Sequence, residues 1–546
     1  MTEAGSLQSP GSHVGSLMER LGSLDERKIR FFRQGRIEER SYPELQADVK
    51  EARRRLSQLG VESGTHVGIV APNCYEWVVC DLALISLGAV VVALPVEFFG
   101  DTEPEQMADA YGVSLLLTTE ARAEAAMRPW VAPLALKGDI ALHQSRSPAT
   151  GESDPDLFSL VFSSGTSGKL KCLRISRQGT DQLLSSFGRD FEFRSDDAIL
   201  AFLPLGAFQQ RWMLYAAVVY GFDLLLCEAT QLFHALRDLR PTILAAPPLL
   251  YETIEARYYA LPRLRRRALD AVRSVLGRLP SALRRRIGSL LFAPIYRALG
   301  GRTRFLLTGA APSRRSTLEL FASIGLELYE AYGLTETGFL SWNLPRRNRM
   351  GSVGLPVYPG SLELASDGEI IFEHPRPLTL GYLGVDGEES RNTFLSKTRV
   401  ATGDIGRFDA DGYLYIEGRK KQIILTQGGV KIHPEELEAA IECNARVARA
   451  VVFGGGDFPV LTAVVSLRSG DEPAARRAVN ETIAGVNARR PASARLEKVI
   501  FTSEQFTREN GLLNRSLKVD RARALERFAD ELTNTYGDER HAGNAA

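Results

Sequence analysis

The residues best suited to chemistry sit in a few short stretches. The first, "LVFSSGTSGKLKCLRIS" at 160–176, sets Ser163, Ser164, Gly165, Thr166, Ser167 and Gly168 in one run and follows them with Lys169 and Lys171. Backbone N–H groups around two glycines, a set of hydroxyls and an ammonium are the parts that hold a polyphosphate. The spacing is not G-x-x-x-x-G-K-[ST], because position 170, five after Gly165, is leucine. Leu157, Leu160 and Val161 read as a strand entering the loop, and Leu170, Cys172 and Ile175 as a strand leaving it. The loop therefore joins strand to strand, where a P-loop runs into a helix.

Three more stretches group charged side chains. "LYEAYGLTET" at 328–337 places Thr335 and Glu336 just after Tyr332 and Gly333, and taken alone it reads as a helix entry with Thr335 as cap. "VATGDIGRFDADGYLYIEGRKKQIILTQGG" at 400–429 holds Asp404, Arg419, Lys421, Gly428 and Gly429. "TRENGLLNRSLKVDR" at 507–521 holds Lys518.

These stretches need a frame that brings them together. From about 41 to 117 the apolar pattern alternates: "YPELQADVKEARRRLSQLG" reads as an amphipathic helix, "HVGIVA" as a strand, and the alternation repeats. That is the signature of an α/β domain with a largely parallel sheet. It resumes near 198 with "AILAFLPL", "FDLLLCE" and "TILAAPP" and continues to "RFLLTGAAP". The most apolar run, 82–96, is shorter than the ~20 residues of a membrane-spanning helix. Its β-branched end suits a buried helix running into a buried strand. After 351 the texture changes to short strands and turns, including the D-G turn of "DADGYLYIEGR". After Arg419 a compact segment has strands and helices of its own. The expected division is a large domain at 1–419 and a small one at 420–546.

Composition narrows the function classes. The 546 residues are 44% hydrophobic and 24% charged, as in an ordinary globular protein of two or more domains. A net charge of +1 argues against nucleic acid as the main partner. Five scattered cysteines without C-x-x-C spacing argue against a disulfide framework or structural zinc and fit a reducing cytoplasm. The start, "MTEAGSLQSPGSHVGSL", lacks the basic and apolar regions of a signal peptide. One segment departs from the even charge: 263–286 is helical and very basic, with Arg265, Arg266, Arg267, Arg284, Arg285 and Arg286. It reads as a solvated helical face or as a patch for an anionic membrane surface or a carrier protein.

In this order, the four stretches resemble the adenylate-forming superfamily of AMP-dependent synthetases and ligases, which includes acyl-CoA synthetases, luciferases and the adenylation domains of peptide synthetases. "TQGG" ahead of "HPEELE", and "ENGLLNRSLK", are most similar to the long-chain fatty acyl-CoA synthetase branch. The resemblance runs from about 42 to 523. It implies a large N-terminal domain of α/β sheets with a small β-barrel-like part, and a small mobile α+β C-terminal domain. It also implies ATP with Mg²⁺, a small-molecule acid substrate, and CoA as the usual acceptor.

Residue by residue, the resemblance assigns Ser164, Thr166, Ser167, Gly168 and Lys171 to the phosphate loop. Gly309, Ala310 and Ala311 match the segment along adenine, and Tyr332, followed by Gly333, the ring that stacks on it. Thr335 and Glu336 match the pair at the phosphates, with Glu336 and Thr166 toward Mg²⁺. Asp404 matches the ribose carboxylate, Arg419 the cation beside it, Lys421 the hinge and Lys518 the mobile catalytic lysine. Gly428 and Gly429 lie where the family passes its second substrate.

The chain also departs from the pattern. Relatives end the phosphate loop in Pro-Lys-Gly, where this chain has Leu170, Lys171 and Cys172. Ala207 stands where long-chain relatives carry a histidine at the mouth between acid pocket and acceptor tunnel. Ala331 adds a methyl to the pocket floor where glycine is common. Phe208, Gln209, Gln210, Arg211 and Trp212 would give an inward face more polar and aromatic character than a fatty tail needs. Three readings follow: an acid–CoA ligase; an adenylate-forming enzyme of a natural-product pathway with a non-CoA acceptor such as an amine, nitrite-activating diazo formation included; and a nucleotide-binding scaffold without catalysis.

Overall fold

The computed structural model of the chain describes residues 12–136, 145, 154–164, 170–384, 387–426, 430–455, 458–468, 473–514 and 519–533. Among them, two large sheets carry the N-terminal part. A nine-stranded sheet has a parallel centre formed by strands Leu328–Leu334, Phe305–Thr308, Ile243–Ala246, Ala198–Ala201, Asp223–Leu226 and Lys28–Arg33. A seven-stranded sheet contains His66–Val70, Val90–Ala93, Leu157–Ser164 and Leu170–Ser176.

Helices Tyr75–Leu87 and Phe208–Tyr220 are buried around most of their circumference, and their side chains join one apolar cluster with residues of both sheets. This position explains why the 82–96 run is apolar on every side. Its helix stops at Gly88, whose φ of +72° forms a left-handed cap, and strand Val90–Ala93 follows. Local signals act at the other helix ends too. Ser41 and Glu44 form a reciprocal capping box at the start of helix Tyr42–Gln58, with the Ser41 N–H donating to Glu44 Oε2 at 2.7 Å.

The loop at 165–169 lies outside the described residues, but its flanks are two paired antiparallel strands with Ser163 opposite Lys171. The strand-to-strand reading therefore stands. The helix-entry reading of 328–337 does not. Leu328–Leu334 and Gly338–Trp342 are antiparallel strands, and Thr335 and Glu336 sit in the turn between them. Pairing in the sheet and burial of Tyr329 and Ala331 outweigh the local capping pattern. A Cβ on Gly333 would lie 2.1 Å from the Gly338 carbonyl oxygen, so the turn requires glycine there.

A four-stranded antiparallel sheet of Leu362–Leu364, Glu369–Glu373, Arg399–Phe408 and Leu414–Arg419 completes this part. Beyond it, strands Val447–Gly455, Phe458–Leu467 and Leu496–Thr502 form a three-stranded sheet whose cluster with helices Pro434–Glu442 and Pro473–Asn487 includes Ile424 but no residue of the large sheets. Two arginines and two glutamates tie it to the rest: Arg314 lies 3.5 Å from Glu252 and 3.4 Å from Glu442, and Arg449 lies 3.7 Å from Glu252 and 3.3 Å from Glu442. The chain folds as the α/β architecture that its periodicity implies, with the small α+β unit that the family resemblance implies.

Candidate active site

Strand Leu328–Leu334 and the turn after it connect two polar groupings. At one end Asp404 is almost fully buried. Its Oδ2 accepts a hydrogen bond from the Tyr332 hydroxyl at 2.7 Å, and its Oδ1 lies 3.1 Å from Arg419 Nε. Asp404 and Arg419 are register partners on paired strands, so their facing positions are set by the sheet itself. Behind them Lys420 bridges Asp367 at 2.7 Å and Glu369 at 2.6 Å, and Glu369 accepts from the Gly403 N–H at 2.9 Å. Burial, reinforced by the Asp404 carboxylate, pushes the Tyr332 phenol well above its ordinary range. It stays a neutral donor.

Gly309, Ala310 and Ala311 follow strand Phe305–Thr308. A Cβ on Gly309 would lie 2.6 Å from the Ala331 carbonyl oxygen, which places this segment beside Tyr332. Ala310 takes a φ of +69° and is exposed with Ala311, leaving an open face of small residues next to the tyrosine.

At the other end Thr335 Oγ1 accepts from Gln209 Nε2 at 3.1 Å. The Glu336 carbonyl accepts from Thr379 Oγ1 at 2.7 Å, and its Oε1 accepts from the Tyr382 hydroxyl at 2.9 Å. Lys171 lies over the Tyr382 ring, 5.1 Å from its centroid, and its ammonium pairs with Glu389 at 2.6 Å. Lys171 is mostly buried, whereas Glu389 is 36% exposed. The Lys171 hydrogen bond, more than any other neighbour, holds the Glu389 carboxyl below its usual range. Lys421 is exposed and lies 3.9 Å from the same carboxylate.

Glu336 Oε2 has no hydrogen-bond partner among the described residues, and Tyr382, which bonds Oε1, also lies under Lys171. A single carboxylate completed by phosphate oxygens is a common complement for Mg²⁺, so these residues fit that ion when a polyphosphate is present. Among the described residues no group of three or more His, Cys, Asp or Glu side chains could hold a metal ion alone.

Ala207 is the N-cap of helix Phe208–Tyr220 and gives it no side-chain cap. Phe208 and Trp212 are buried, and the Trp212 ring lies 5.8 Å from Phe339, which pairs in register with Gly333. Ala331, buried, faces Trp342 across the same pair of strands. Gln210 accepts from the N–H of Phe202 at 3.0 Å, and Arg211 donates to Tyr215 at 2.8 Å, so both serve the scaffold. Cys172 is buried, which pushes its thiol up to about 12 and makes it inert.

The structure thus gathers Lys171, Gly309, Ala310, Ala311, Tyr332, Gly333, Thr335, Glu336, Asp404 and Arg419 around one strand and turn. Thr166, Ser167, Gly168, Gly428, Gly429 and Lys518 lie outside the described residues, as does the side chain of Ser164. Glu389 and Tyr382 are the additions, and Gln209 joins them through Thr335. Sequence offers no signal for the first, because its partner is 218 residues away.

Comparison with known proteins gives the family of the chain. The family model for AMP-binding enzymes matches residues 24–373, and the model for the AMP-binding enzyme C-terminal domain matches 420–540. The long-chain-fatty-acid–CoA ligase FadD15 of Mycobacterium bovis is 26% identical over 559 residues, covering 90% of this chain and 91% of that protein. Among solved structures, the anthranilate CoA ligase AuaEII in complex with anthranoyl-AMP superposes with a TM-score of 0.72 at 19% identity, over 96% of this chain and 98% of that one. The amide bond synthetase McbA from Marinactinospora thermotolerans gives 0.70 at 18% identity, over 94% and 100%. At such identities both structures speak for the fold alone.

Proposed function

This chain belongs to the AMP-binding enzyme family and is an AMP-forming acid ligase, and on that premise we propose that it passes its acyl group to the thiol of CoA. The observation that carries the site assignment is the linkage through one strand: Tyr332 reaches Asp404, and three and four residues on, Thr335 and Glu336 turn toward Gln209 and Tyr382. At about 3.3 Å per residue, some 10 Å of backbone separates the two ends, a span suited to an extended nucleotide.

In this reading Asp404 accepts both ribose hydroxyls and Tyr332 offers its ring to adenine. Lys171 leaves Glu389 for the β- and γ-phosphates. A carboxylate oxygen of the acid attacks the α-phosphorus, the bond to the bridging oxygen breaks, and pyrophosphate leaves with its electrons. Lys518 stabilises the charge that builds on the α-phosphoryl oxygens. Glu336 is the side chain that would hold Mg²⁺, whose charge would be shared with the phosphates. The acyl-adenylate then meets the thiol, the C–S bond forms, the C–O bond to AMP breaks, and the thiol proton goes to solvent.

We place the domain boundary at 419/420 and the hinge at Lys421. Rotation there withdraws Lys518, and it must part the ion pairs that Arg314 and Arg449 make across the two units. A second reading, an amine as acceptor, is favoured by one residue: Ala207 offers no imidazole at the tunnel mouth. The test is pyrophosphate release over a panel of fatty, aryl and inorganic acids, followed by AMP formation with CoA or an amine added. CoA-dependent turnover supports the first reading. CoA-independent turnover that rises with an amine replaces it with the second.

A further inference from the structure

The basic helices are unlike any other part of the surface. Helix Arg263–Leu276 has five arginines and a single acidic residue, and helix Ser281–Leu291 has three arginines and no acidic residue. The whole chain carries a net charge of only +1, so positive charge is concentrated here and the remainder is acidic on balance. Some of these arginines are structural: Arg273 bonds Ser323 and Asp270, Arg284 lies 3.5 Å from Glu327, and Arg285 donates to the Thr303 carbonyl. Among the described residues, Arg263, Arg265, Arg267, Arg278 and Arg286 make no ion pair and no side-chain hydrogen bond.

Apolar exposure coincides with the free charge. Of the thirteen exposed large hydrophobic side chains among the described residues, five lie on these two helices: Leu264 at 83%, Val275 at 59%, Leu283 at 46%, Leu290 at 75% and Leu291 at 50%. In the first helix, Leu264, Ala268, Ala271 and Val275 are all exposed and follow i, i+4, i+7, i+11 spacing, one continuous outward stripe. A different face holds the helix to the protein, with Leu276 buried and Leu269 and Val272 packed on the core. The outward stripe is therefore not a core face left short of contacts. It is a second apolar face, flanked by unpaired guanidinium groups.

We propose that helices Arg263–Leu276 and Ser281–Leu291 dock the enzyme on the surface of an anionic lipid bilayer. Unpaired arginines match lipid phosphates, which they can bind through two N–H groups at once, while leucines standing proud of a helix enter the acyl boundary. An acidic protein would satisfy the arginines, but it would need a pocket for each protruding leucine, whereas a bilayer receives them anywhere. The enzyme would lie on the membrane, since no described helix is long and apolar enough to cross one.

Flotation of the full chain with vesicles decides the matter. The wild type should float with an equimolar mixture of phosphatidylcholine and phosphatidylglycerol, stay behind with phosphatidylcholine alone, and be released by high salt. Arg265→Glu with Arg267→Glu should weaken partitioning at least about tenfold. Leu264→Ser with Leu290→Ser should weaken it several-fold on the same vesicles. Both pairs of sites are exposed, so the melting temperatures should match the wild type. Failure of the wild type to float, equal flotation with neutral vesicles, or folded variants that float like the wild type would overturn the proposal. So would capture of an acidic carrier protein that the variants lose while no form of the enzyme binds vesicles.

Discussion

The two ends of the proposed nucleotide site are built on different plans. At the proposed nucleoside end Asp404 and Arg419 are opposed by strand register, Tyr332 reaches them from a strand of the nine-stranded sheet, and Lys420 braces the backbone beneath. These groups stand ready before any ligand arrives. At the proposed phosphate end the charges hold partners that ATP, in this reading, would replace: Lys171 is paired with Glu389, and Glu336 is engaged by Tyr382. If the proposed site holds, the contrast teaches that one molecule would be gripped by a preformed half and admitted by a half that first releases its own counter-ion.

The largest effect is expected at the phosphate end. Glu336→Gln should lower the rate of acid-dependent pyrophosphate release on the order of a hundredfold or more, because a charge meant for the transition state is lost. AMP affinity should hold. A parallel fall in AMP affinity would move Glu336 to the nucleoside end and erase the distinction.

Asp404→Ala comes next. It removes a charged acceptor from the preformed half, so ATP and AMP should both bind more weakly, each by about 2–3 kcal/mol by calorimetry. A loss confined to ATP would show that the carboxylate serves the phosphates.

Glu330 separates the scaffold from the site, since it lies on the strand that serves both ends but spends its carboxylate on the scaffold, accepting from the Gly351 N–H at 3.0 Å. Burial pushes its carboxyl from 4.5 up to about 7. The folded chain keeps a proton that the unfolded chain releases, so this group's stabilising contribution is full below about pH 4.5 and fades as pH rises through about 7. Glu330→Gln should flatten that part of the stability profile by about 1–3 kcal/mol between pH 5 and 7.5, read from urea unfolding. Nucleotide affinity should not change. Superimposable profiles for wild type and variant would mean that Glu330 titrates normally.

Much of this was legible in the sequence, for reasons particular residues make plain. Alternating periodicity reported the parallel sheets, and Gly88 and the Ser41–Glu44 box marked helix ends because those signals are local. Local rules misread 328–337, where Thr335 before Glu336 mimics a helix cap while strand pairing decides the outcome. Gln209 and Arg211 read alike as candidate pocket groups, yet one turns to Thr335 and the other to Tyr215. The proposed nucleoside end was the easier half, since Asp404 and Arg419 sit in one hairpin. The phosphate end hid its counter-ion, because chain distance separates Glu389 from Lys171 and only the fold removes it.

That counter-ion also carries the smallest and most direct test. Glu389 is partly exposed, so its pair with Lys171 should contribute about 0.2–1 kcal/mol. Calorimetric titration of the wild type and of Glu389→Gln with ATP and with AMP isolates it. The two-plan account predicts that the variant binds ATP about two- to fivefold more tightly and AMP no differently, because only ATP carries the phosphates for which Lys171 must be released. Unchanged ATP affinity, or equal tightening for both nucleotides, would contradict it.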